Sequence, residues 1–294
     1  MSYRIILVPL NGHYNCTDPE SLELPALDAA FRIGQALDAR VRVFLIDAPP
    51  PGQQKHSASW VPVHGIEQVM EGIDSANEQS RKYALQAFQS TIERFDAPLA
   101  SADTDSGFAV EFLETDGSVA ELLANQGRLA DLIVTAHPAA DRPNSKPLML
   151  EIALRETGRP VFIAPVTPFA TVAEHVAIAW NGSSEAARAV ALSLDLLRRA
   201  SQVTIVSVQE SAPIEPDAQQ LANYLDRHNI ESSSIIVEGK ESNASARLLA
   251  ESERAGADLL LMGAYSRSRT TRALSGSTTN HILRKATIPV IMVD

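Results

Sequence analysis

The feature that most constrains the fold is an internal repeat, in which the second half of the chain repeats the pattern of the first. Four short segments recur in the same order in both halves. They are Leu10-Asn11-Gly12 with Trp180-Asn181-Gly182, Leu122-Leu123-Ala124 with Leu248-Leu249-Ala250, Asp131-Leu132-Ile133-Val134 with Asp258-Leu259-Leu260-Leu261, and Arg159-Pro160-Val161-Phe162-Ile163 with Ile288-Pro289-Val290-Ile291-Met292. The ordered match predicts two diverged copies of one unit, at residues 1–167 and 168–294.

Each half alternates short apolar runs with stretches of helical periodicity. Runs of β-branched and aliphatic residues that are separated by helical patterns are typical of βαβ units and a parallel sheet. The sequence therefore predicts an α/β fold with two tandem, doubly wound, parallel-sheet domains of the Rossmann-like kind. The predicted helices include 22–37, 66–95, 119–128, 184–200, 216–228, 243–254 and 279–285, and residues 48–62 are predicted to form a loop from their proline and polar content.

Composition narrows the class of protein. The formal net charge is -11, which disfavours nucleic acid and anionic membrane surfaces as partners. The one cysteine, Cys16, forms no internal disulfide, and no apolar run reaches membrane length. These features predict a cytoplasmic protein. Aromatic residues make up 5% of the chain, so the cores are predicted to consist of Ala, Val, Leu and Ile rather than stacked rings.

A loop in the second half, residues 263–279, has the composition of a phosphate site. Glycines at both ends, Gly263 and Gly276, allow tight turns and close approach of the backbone to a ligand. The second glycine precedes a predicted helix, whose free N–H groups and dipole favour an anion. Ser277 and Thr278 add hydroxyl donors, and Arg267 adds a cation that could face phosphate oxygens.

These residues resemble the signature of the universal stress protein family, G-x-x-G-x9-G-[ST]. This chain has Gly263-x-x-Ser266-x9-Gly276-Ser277, with serine in place of the second glycine. The turn Trp180-Asn181-Gly182-Ser183-Ser184 resembles the strand-to-helix turn of the family, where nucleotide-binding members usually carry Asp and this chain has Asn181. The resemblance covers the whole chain as two tandem copies.

The resemblance implies an adenine nucleotide alpha hydrolase-like fold and a stress-response binding module that takes ATP, with magnesium, in its second domain. It places Gly263, Ser266, Gly276, Ser277 and Thr278 around the phosphates. It places Asn181 near the ribose or base, together with Val206 and Ser207 from the second strand of that half. No metal ligand set is predicted, because His13 and Cys16 have no further ligands nearby in sequence.

The corresponding stretch of the first half, residues 136–148, is predicted not to hold phosphate. It has no glycine and three prolines, and Pro147 occupies the position of Gly276. Because proline has no N–H donor, this stretch cannot form the same cradle. The first half is predicted to be structural or to take a different ligand.

Three function classes stay open from the sequence. A nucleotide-responsive binding module comes first, and a scaffold that acts through protein contacts is the alternative. An enzyme, at most a weak ATP hydrolase, is not favoured, because no nucleophile elbow, zinc-protease motif or phosphate-loop lysine motif occurs. The two halves are predicted to meet as an internal pseudo-dimer through their last strands, 160–164 and 289–293, and two chains could associate further.

Overall fold

The computed structural model describes residues 3–11, 24–47, 58–60, 76–100, 107–116, 118–137, 148–165, 169, 171–209, 214–239, 243–264 and 277–294. The chain divides into two compact units. One consists of residues 2–136 and 148–159, and the other consists mainly of residues 160–294. This division does not test the predicted domain boundary at residues 167 and 168, which stays a prediction.

The first unit is a mostly parallel sheet with helices. In chain order its elements are β1 Ile5–Asn11, α1 Leu24–Leu37, β2 Arg40–Asp47, β3 Ala58–Trp60, α2 Ala76–Phe95, β4 Ala109–Asp116, α3 Val119–Gly127, β5 Leu132–Ala136 and α4 Leu148–Glu156. The strand order is β3-β4-β2-β1-β5. The short strand β3, which lies in a predicted loop, is antiparallel to β4, and pairing with that strand explains why a polar, proline-rich stretch becomes extended there.

The second unit repeats the same winding. Its elements are β6 Val161–Ala164, β7 His175–Ala179, α5 Ser184–Leu192, α6 Leu194–Arg199, β8 Gln202–Gln209, α7 Ala218–Asp226, β9 Ser233–Glu238, α8 Ala244–Arg254, β10 Leu259–Gly263, α9 Ser277–Lys285 and β11 Val290–Val293. The strand order is β6-β11-β10-β7-β8-β9. Strands β7 to β11 are parallel, and β6 pairs antiparallel with β11. The predicted doubly wound α/β architecture is confirmed, and the predicted contact between the two closing strands is present.

An aspartate binds main-chain N–H groups at the start of β1 in the first unit and of β7 in the second. Asp131 accepts hydrogen bonds from the main-chain N–H groups of Arg4 and Ile5 at 2.9 and 3.0 Å. Asp258 accepts from Glu174 and His175 at 3.1 and 2.9 Å. A charged acceptor that satisfies two amides at a strand end fixes the register of the neighbouring strands. The repeat seen in the sequence thus corresponds to a repeated interaction, in which an aspartate accepts hydrogen bonds from two main-chain N–H groups at the amino-terminal edge of each sheet.

The core of the first unit contains an aromatic cluster, contrary to the prediction from composition. Phe31 of α1 makes edge-to-face contacts with Phe88, Phe95 and Phe108, at ring-centroid distances of 6.2, 5.6 and 6.2 Å. Phe88 also packs against Phe112 of β4 at 5.1 Å. A low overall aromatic content does not indicate whether the aromatic rings cluster. Edge-to-face ring pairs stabilise the fold by more than the burial of their surface area alone would.

Two helices differ from the prediction. The single helix predicted over 184–200 is broken into α5 and α6 at Ser193, whose backbone has φ -109° and ψ 9°. The N–H of this buried serine bonds the carbonyl of Val190, three residues back, which is a tighter turn than an α-helix makes. Helix α4 was not predicted, because a nine-residue helix that follows prolines leaves a short periodic signal.

Two buried threonines give a matched test of hydrogen-bond satisfaction. The hydroxyl of Thr135, in β5, is buried without a hydrogen-bond partner, whereas that of Thr204, in β8, bonds the ring of His175 at 2.8 Å and Ser233 at 3.2 Å. We expect Thr135→Val to raise the free energy of unfolding by about 1 kcal/mol and Thr204→Val to lower it by about 1–2 kcal/mol. Urea unfolding followed by circular dichroism measures both, and equal effects in the two variants would contradict the assignment.

Candidate functional site

The candidate site lies at the carboxyl ends of the parallel strands in the second unit. Strand β7 is flanked by β8 on one side and β10 on the other, and the chain winds away from it in both directions. Open α/β sheets bind ligands outside such a reversal of strand order. The elements that reach this edge are the turn after β7, the ends of β8 and β10, and the first turn of α9.

Asn181 organises the turn between β7 and α5. Its Oδ1 accepts hydrogen bonds from the N–H of Ser183 at 3.2 Å and from the hydroxyl of Ser183 at 2.7 Å. The Oγ of Ser183 in turn accepts from the N–H of Ala186 at 3.2 Å and so caps α5. The side chain of Asn181 is exposed at the edge, but its carbonyl oxygen is used within the turn. Aspartate or asparagine suits this position, since both offer that oxygen.

Val206 and Ser207 support the turn from beneath. The carbonyl of Val206 accepts from the N–H of Trp180 at 2.9 Å, and the hydroxyl of Ser207 donates to the carbonyl of Trp180 at 3.0 Å. Both side chains are fully buried. The indole N–H of Trp180 donates to the carbonyl of Pro216 at 2.8 Å, so the turn is tied to the segment before α7 as well. These two predicted site residues therefore position Trp180 and Asn181, and their own polar atoms are already bonded.

Close packing of neighbouring main-chain atoms requires glycine at positions 182 and 263. Gly182 has φ +70°, in the left-handed region, and an added Cβ would lie 2.7 Å from the carbonyl oxygen of Glu215. An added Cβ on Gly263 would lie 2.5 Å from the main-chain nitrogen of Ala186 and 2.7 Å from Cβ of Glu185. The sequence predicted that Gly263 allows a ligand to approach. In the structure the lack of a side chain at Gly263 allows close approach of the first turn of α5, and approach of a ligand stays a prediction.

The amino terminus of α5 is closed by the helix itself. Ser183 satisfies the N–H of Ala186, and the Glu185 carboxylate bonds its own main-chain N–H and the hydroxyl of Ser184. Arg188, one turn on, places its Nη2 3.5 Å from Oε1 of Glu185 and donates from Nε to the main-chain oxygen of Asp294 at 3.0 Å. An anion at this helix end would have to displace a resident carboxylate. Glu185 was not among the sequence-predicted site residues.

The Glu185 carboxyl is held in its charged form. Burial raises its pKa, but the hydrogen bonds from its own N–H, Ser184 and Ser183, together with Arg188, outweigh burial and leave the pKa below its ordinary value. The folded state therefore favours the carboxylate, and this contribution to stability is present above pH 4.5, the ordinary value, and disappears as pH falls through the lower folded pKa.

This charge state leads to a stability prediction. At pH 7 we expect Glu185→Gln to lower the free energy of unfolding by about 0.5 kcal/mol, because an acid in the first turn stabilises a helix. The difference between the wild type and the variant should shrink at an acidic pH below the lowered folded pKa, where the carboxyl is protonated. Urea unfolding at both pH values measures it, and a difference that grows on acidification would contradict the charge assignment.

The amino terminus of α9 is the other helix end at this edge. The helix begins at Ser277 and follows β10 along the chain, so its first turn lies on the side of the sheet where parallel strands end. It packs through Ile282 and Leu283, which are buried, as is Thr279. Ser277 and Thr278 are its first two residues. The predicted site residues Ser266, Arg267 and Gly276, and the side chains of Ser277 and Thr278, lie outside the described residues.

The matching edge of the first unit lies largely outside the described residues. Strand β5 ends at Ala136 and α4 begins at Leu148, and the proline-containing stretch between them falls outside the described residues, as do His13 and Cys16. No group of three His, Cys, Asp or Glu side chains that could hold a metal ion occurs in the described part of the chain. Among the described helices, none is long and apolar enough to cross a membrane.

Comparison with known proteins identifies a family over the second half of the chain. Residues 173–294 match the family model described as "Universal stress protein family". The second half is a universal stress protein domain. The resemblance predicted from the loop and the β7 turn is thereby confirmed. No curated protein matches this sequence significantly.

Solved structures extend the universal stress protein fold to the whole chain. A universal stress protein from Archaeoglobus fulgidus superimposes with a TM-score of 0.66 at 17% identity, covering 99% of this chain and 96% of that one. A functionally unknown protein from Pseudomonas aeruginosa gives a TM-score of 0.58 at 15% identity, covering 99% and 92%. A putative universal stress protein from the same organism gives 0.57 at 14% identity, covering 99% and 93%. Matching over nearly all of both chains is what a two-domain protein of this fold would give.

Proposed function

We propose that this protein is a stress-response binding module that takes an adenine nucleotide at the carboxyl edge of its second unit. The family supports the general role, and the reversal of strand order at β7 supports the place. The ligand's phosphate would meet the first turn of α9, and its ribose or base would lie over Asn181. The proposal includes no chemical step.

The observation that carries the proposal is the difference between two helix ends at one edge. The amino terminus of α5 is closed by Ser183 and by the carboxylate of Glu185. Helix α9 begins with Ser277 and Thr278 and has no acidic residue in its first turn. An anion is favoured where N–H groups point outward without a competing carboxylate, so α9 offers the better phosphate site.

Magnesium would accompany a triphosphate, and the described residues offer it little. The Glu185 carboxylate is bonded within its helix and paired with Arg188. A cation that it bound would have to displace that arginine. We therefore assign no magnesium ligand among the described residues, and the ligand is proposed to be held by main-chain amides and hydroxyls.

Calorimetric titration with ATP, with and without magnesium, tests the proposal. We expect micromolar binding at about one site per chain, because a helix terminus with a few hydroxyl donors is a moderate anion site. Gly276→Pro removes the N–H that precedes α9 and should abolish the heat. Ser277→Ala is a milder change that should weaken binding by about tenfold, the effect of one lost hydrogen bond.

A matched control uses the other half of the repeat. Pro147 occupies the position of Gly276 in the first half, so Pro147→Gly changes the corresponding position of the repeat and leaves the sequence of α9 unchanged. Its titration should match the wild type. Absence of heat in the wild-type protein up to millimolar ATP would refute nucleotide binding and favour the scaffold.

The scaffold role has one structural observation in its favour. The polar atoms of Ser207 and the carbonyl oxygen of Asn181, both placed near the nucleotide by the family resemblance, are used in bonds within the protein. A module with no small ligand would act through protein contacts, and association of two chains is part of that proposal. Light scattering over a range of protein concentrations measures the association directly.

A further inference from the structure

Strand β9 forms an outer edge of the sheet in the second unit. It pairs in parallel with β8 along its whole length, and no other described strand pairs with it. The N–H of Gly239, just after β9, donates to the main-chain oxygen of Gln209 in β8 at 2.9 Å. The main-chain groups of successive residues in a strand point to opposite sides, so those of Ser234, Ile236 and Glu238 point away from β8. These groups form an edge that can accept a further strand.

The first unit covers the equivalent edge with a strand of its own. Ile5 and His175 are matching positions of the repeat, and the strand registers that start from them place residues 113–115 of β4 level with residues 235–237 of β9. Residues 113–115 pair with the antiparallel strand β3. Strand β3 lies between β2 and α2, whereas the shorter connection from β8 to α7, residues 210–217, contains no described strand. The edge position that accepts an antiparallel strand in the first copy therefore has no described partner strand in the second.

Strand β9 has few of the features that protect an edge strand from pairing. Such strands are commonly interrupted by proline or a bulge, or they carry lysine or inward-pointing charges. The sequence of β9 is SSIIVE, with its single charge at the last residue, and its register with β8 is continuous. Ile236, in the middle of the outward-pointing residues, is 57% exposed. An exposed isoleucine on a regular and nearly uncharged edge favours pairing with another strand.

We propose that two copies of this chain associate by antiparallel pairing of their β9 strands about a twofold axis at Ile236, an inference that does not depend on the nucleotide site. In this register Ser234 lies opposite the partner's Glu238, and Ile236 lies opposite the partner's Ile236. Directly opposed residues of this kind exchange both main-chain hydrogen bonds. Each outward-pointing residue of β9 then has a partner in the other β9. An axis one residue earlier or later would leave one of them opposite a position outside the strand.

The side chains are complementary in the same register. The two exposed Ile236 side chains cover each other, and on the other face of the sheet Ile235 lies opposite the partner's Val237. The hydroxyl of Ser234 can donate to the carboxylate of the partner's Glu238, and the twofold axis makes this pair occur twice. No like charges lie opposite each other, so cross-strand pairs favour association. A contact made mainly by one strand from each chain is small, so we expect a dissociation constant in about the micromolar range.

Sedimentation equilibrium of the full chain, over about 1–500 µM, measures this association. The wild type should show a reversible equilibrium between monomer and dimer. Ile236→Lys puts two like charges opposite each other at the twofold axis and should weaken the dimer at least about tenfold. Leu129→Lys makes the same change in charge at a residue of the first unit that is 69% exposed, and it should leave the dissociation constant unchanged.

A second pair of variants tests the register and is independent of misfolding. Ser234→Lys puts a cation opposite the partner's Glu238 at two places and should tighten the dimer about threefold to tenfold at low salt. Ser234→Glu puts like charges there and should weaken it. The gain from lysine should diminish at about 1 M salt, where the Debye length is about 3 Å. A tighter dimer cannot result from a general loss of structure.

The outcomes decide what occupies the edge. A wild-type protein that stays monomeric over the whole concentration range overturns the proposal. Hydrogen exchange of the β9 amides in that monomer then separates an edge that the chain covers itself, with slow exchange, from one left open to a strand of another protein, with fast exchange. A dimer that Ile236→Lys and Leu129→Lys weaken equally, or that Ser234→Lys fails to tighten, also overturns it, because the contact then does not use β9 in this register.

Discussion

Replacing Gly263 by alanine is expected to lower the free energy of unfolding by about 3 kcal/mol, near the upper end for overpacked interiors. The added Cβ would lie 2.5 Å from the main-chain nitrogen of Ala186, and a main-chain atom cannot rotate away as a flexible side chain can. Helix α5 would have to move off the sheet, which would disturb the cap that Ser183 provides. Urea unfolding measures the loss.

A second glycine separates packing from backbone strain. Gly158 has φ +67° and no atom within 4 Å of an added Cβ, so Gly158→Ala meets only the cost of the left-handed conformation. That cost is about 1 kcal/mol. If Gly263→Ala is no more destabilising than Gly158→Ala, then α5 tolerates displacement and the close contact is not what requires glycine at the end of β10.

Removing Asp258 is expected to have an effect of similar size. Its carboxylate accepts from two main-chain N–H groups, and Asp258→Ala leaves both at the start of β7 without that partner. Hydrogen bonds to a charged group contribute about 1.5–3 kcal/mol each, and water at the strand end recovers part of the loss, so we expect about 3 kcal/mol in total. Unfolding at pH 7 followed by circular dichroism is the measurement.

The repeat supplies a second copy of that experiment. Asp131→Ala removes the same device from the first unit and should destabilise that unit comparably, whereas Asp226→Ala, at an exposed position on α7, should be almost neutral. Because two units can unfold separately, the transitions of the two aspartate variants should differ in shape rather than only in midpoint. Identical transitions in both variants would show that the chain unfolds as one cooperative body.

Much of the fold could be predicted from local patterns. Strands β1, β5, β7 and β10 are continuous apolar runs, as expected for strands that are buried on both faces, and the repeat supplied their order twice. The phenylalanine cluster left a signal that overall composition concealed, since six of the eight phenylalanines precede residue 113. The break at Ser193 left no such signal, because its cause is a single tight turn inside a periodic stretch.

The site was predicted less completely, for a physical reason. The role of Asn181 follows from residues two positions away and could be recognised in the sequence. The requirement for glycine at position 263 comes from close contact with Glu185 and Ala186, which are almost eighty residues away in the chain. Glu185 resembles any acid in the first turn of a helix until the fold places it beside β10. Contacts that form only in the tertiary structure leave no periodic pattern in the amino-acid sequence.

The antiparallel pairing of β6 with β11 determines how the protein can be cut. A fragment that begins at residue 168, where the repeat alone would place the cut, lacks β6 and leaves the edge of β11 without its partner. An uncovered, entirely apolar edge strand is a template for pairing with other molecules. Such a fragment should therefore self-associate more strongly than one that begins at residue 160, in which β11 keeps its pairing with β6.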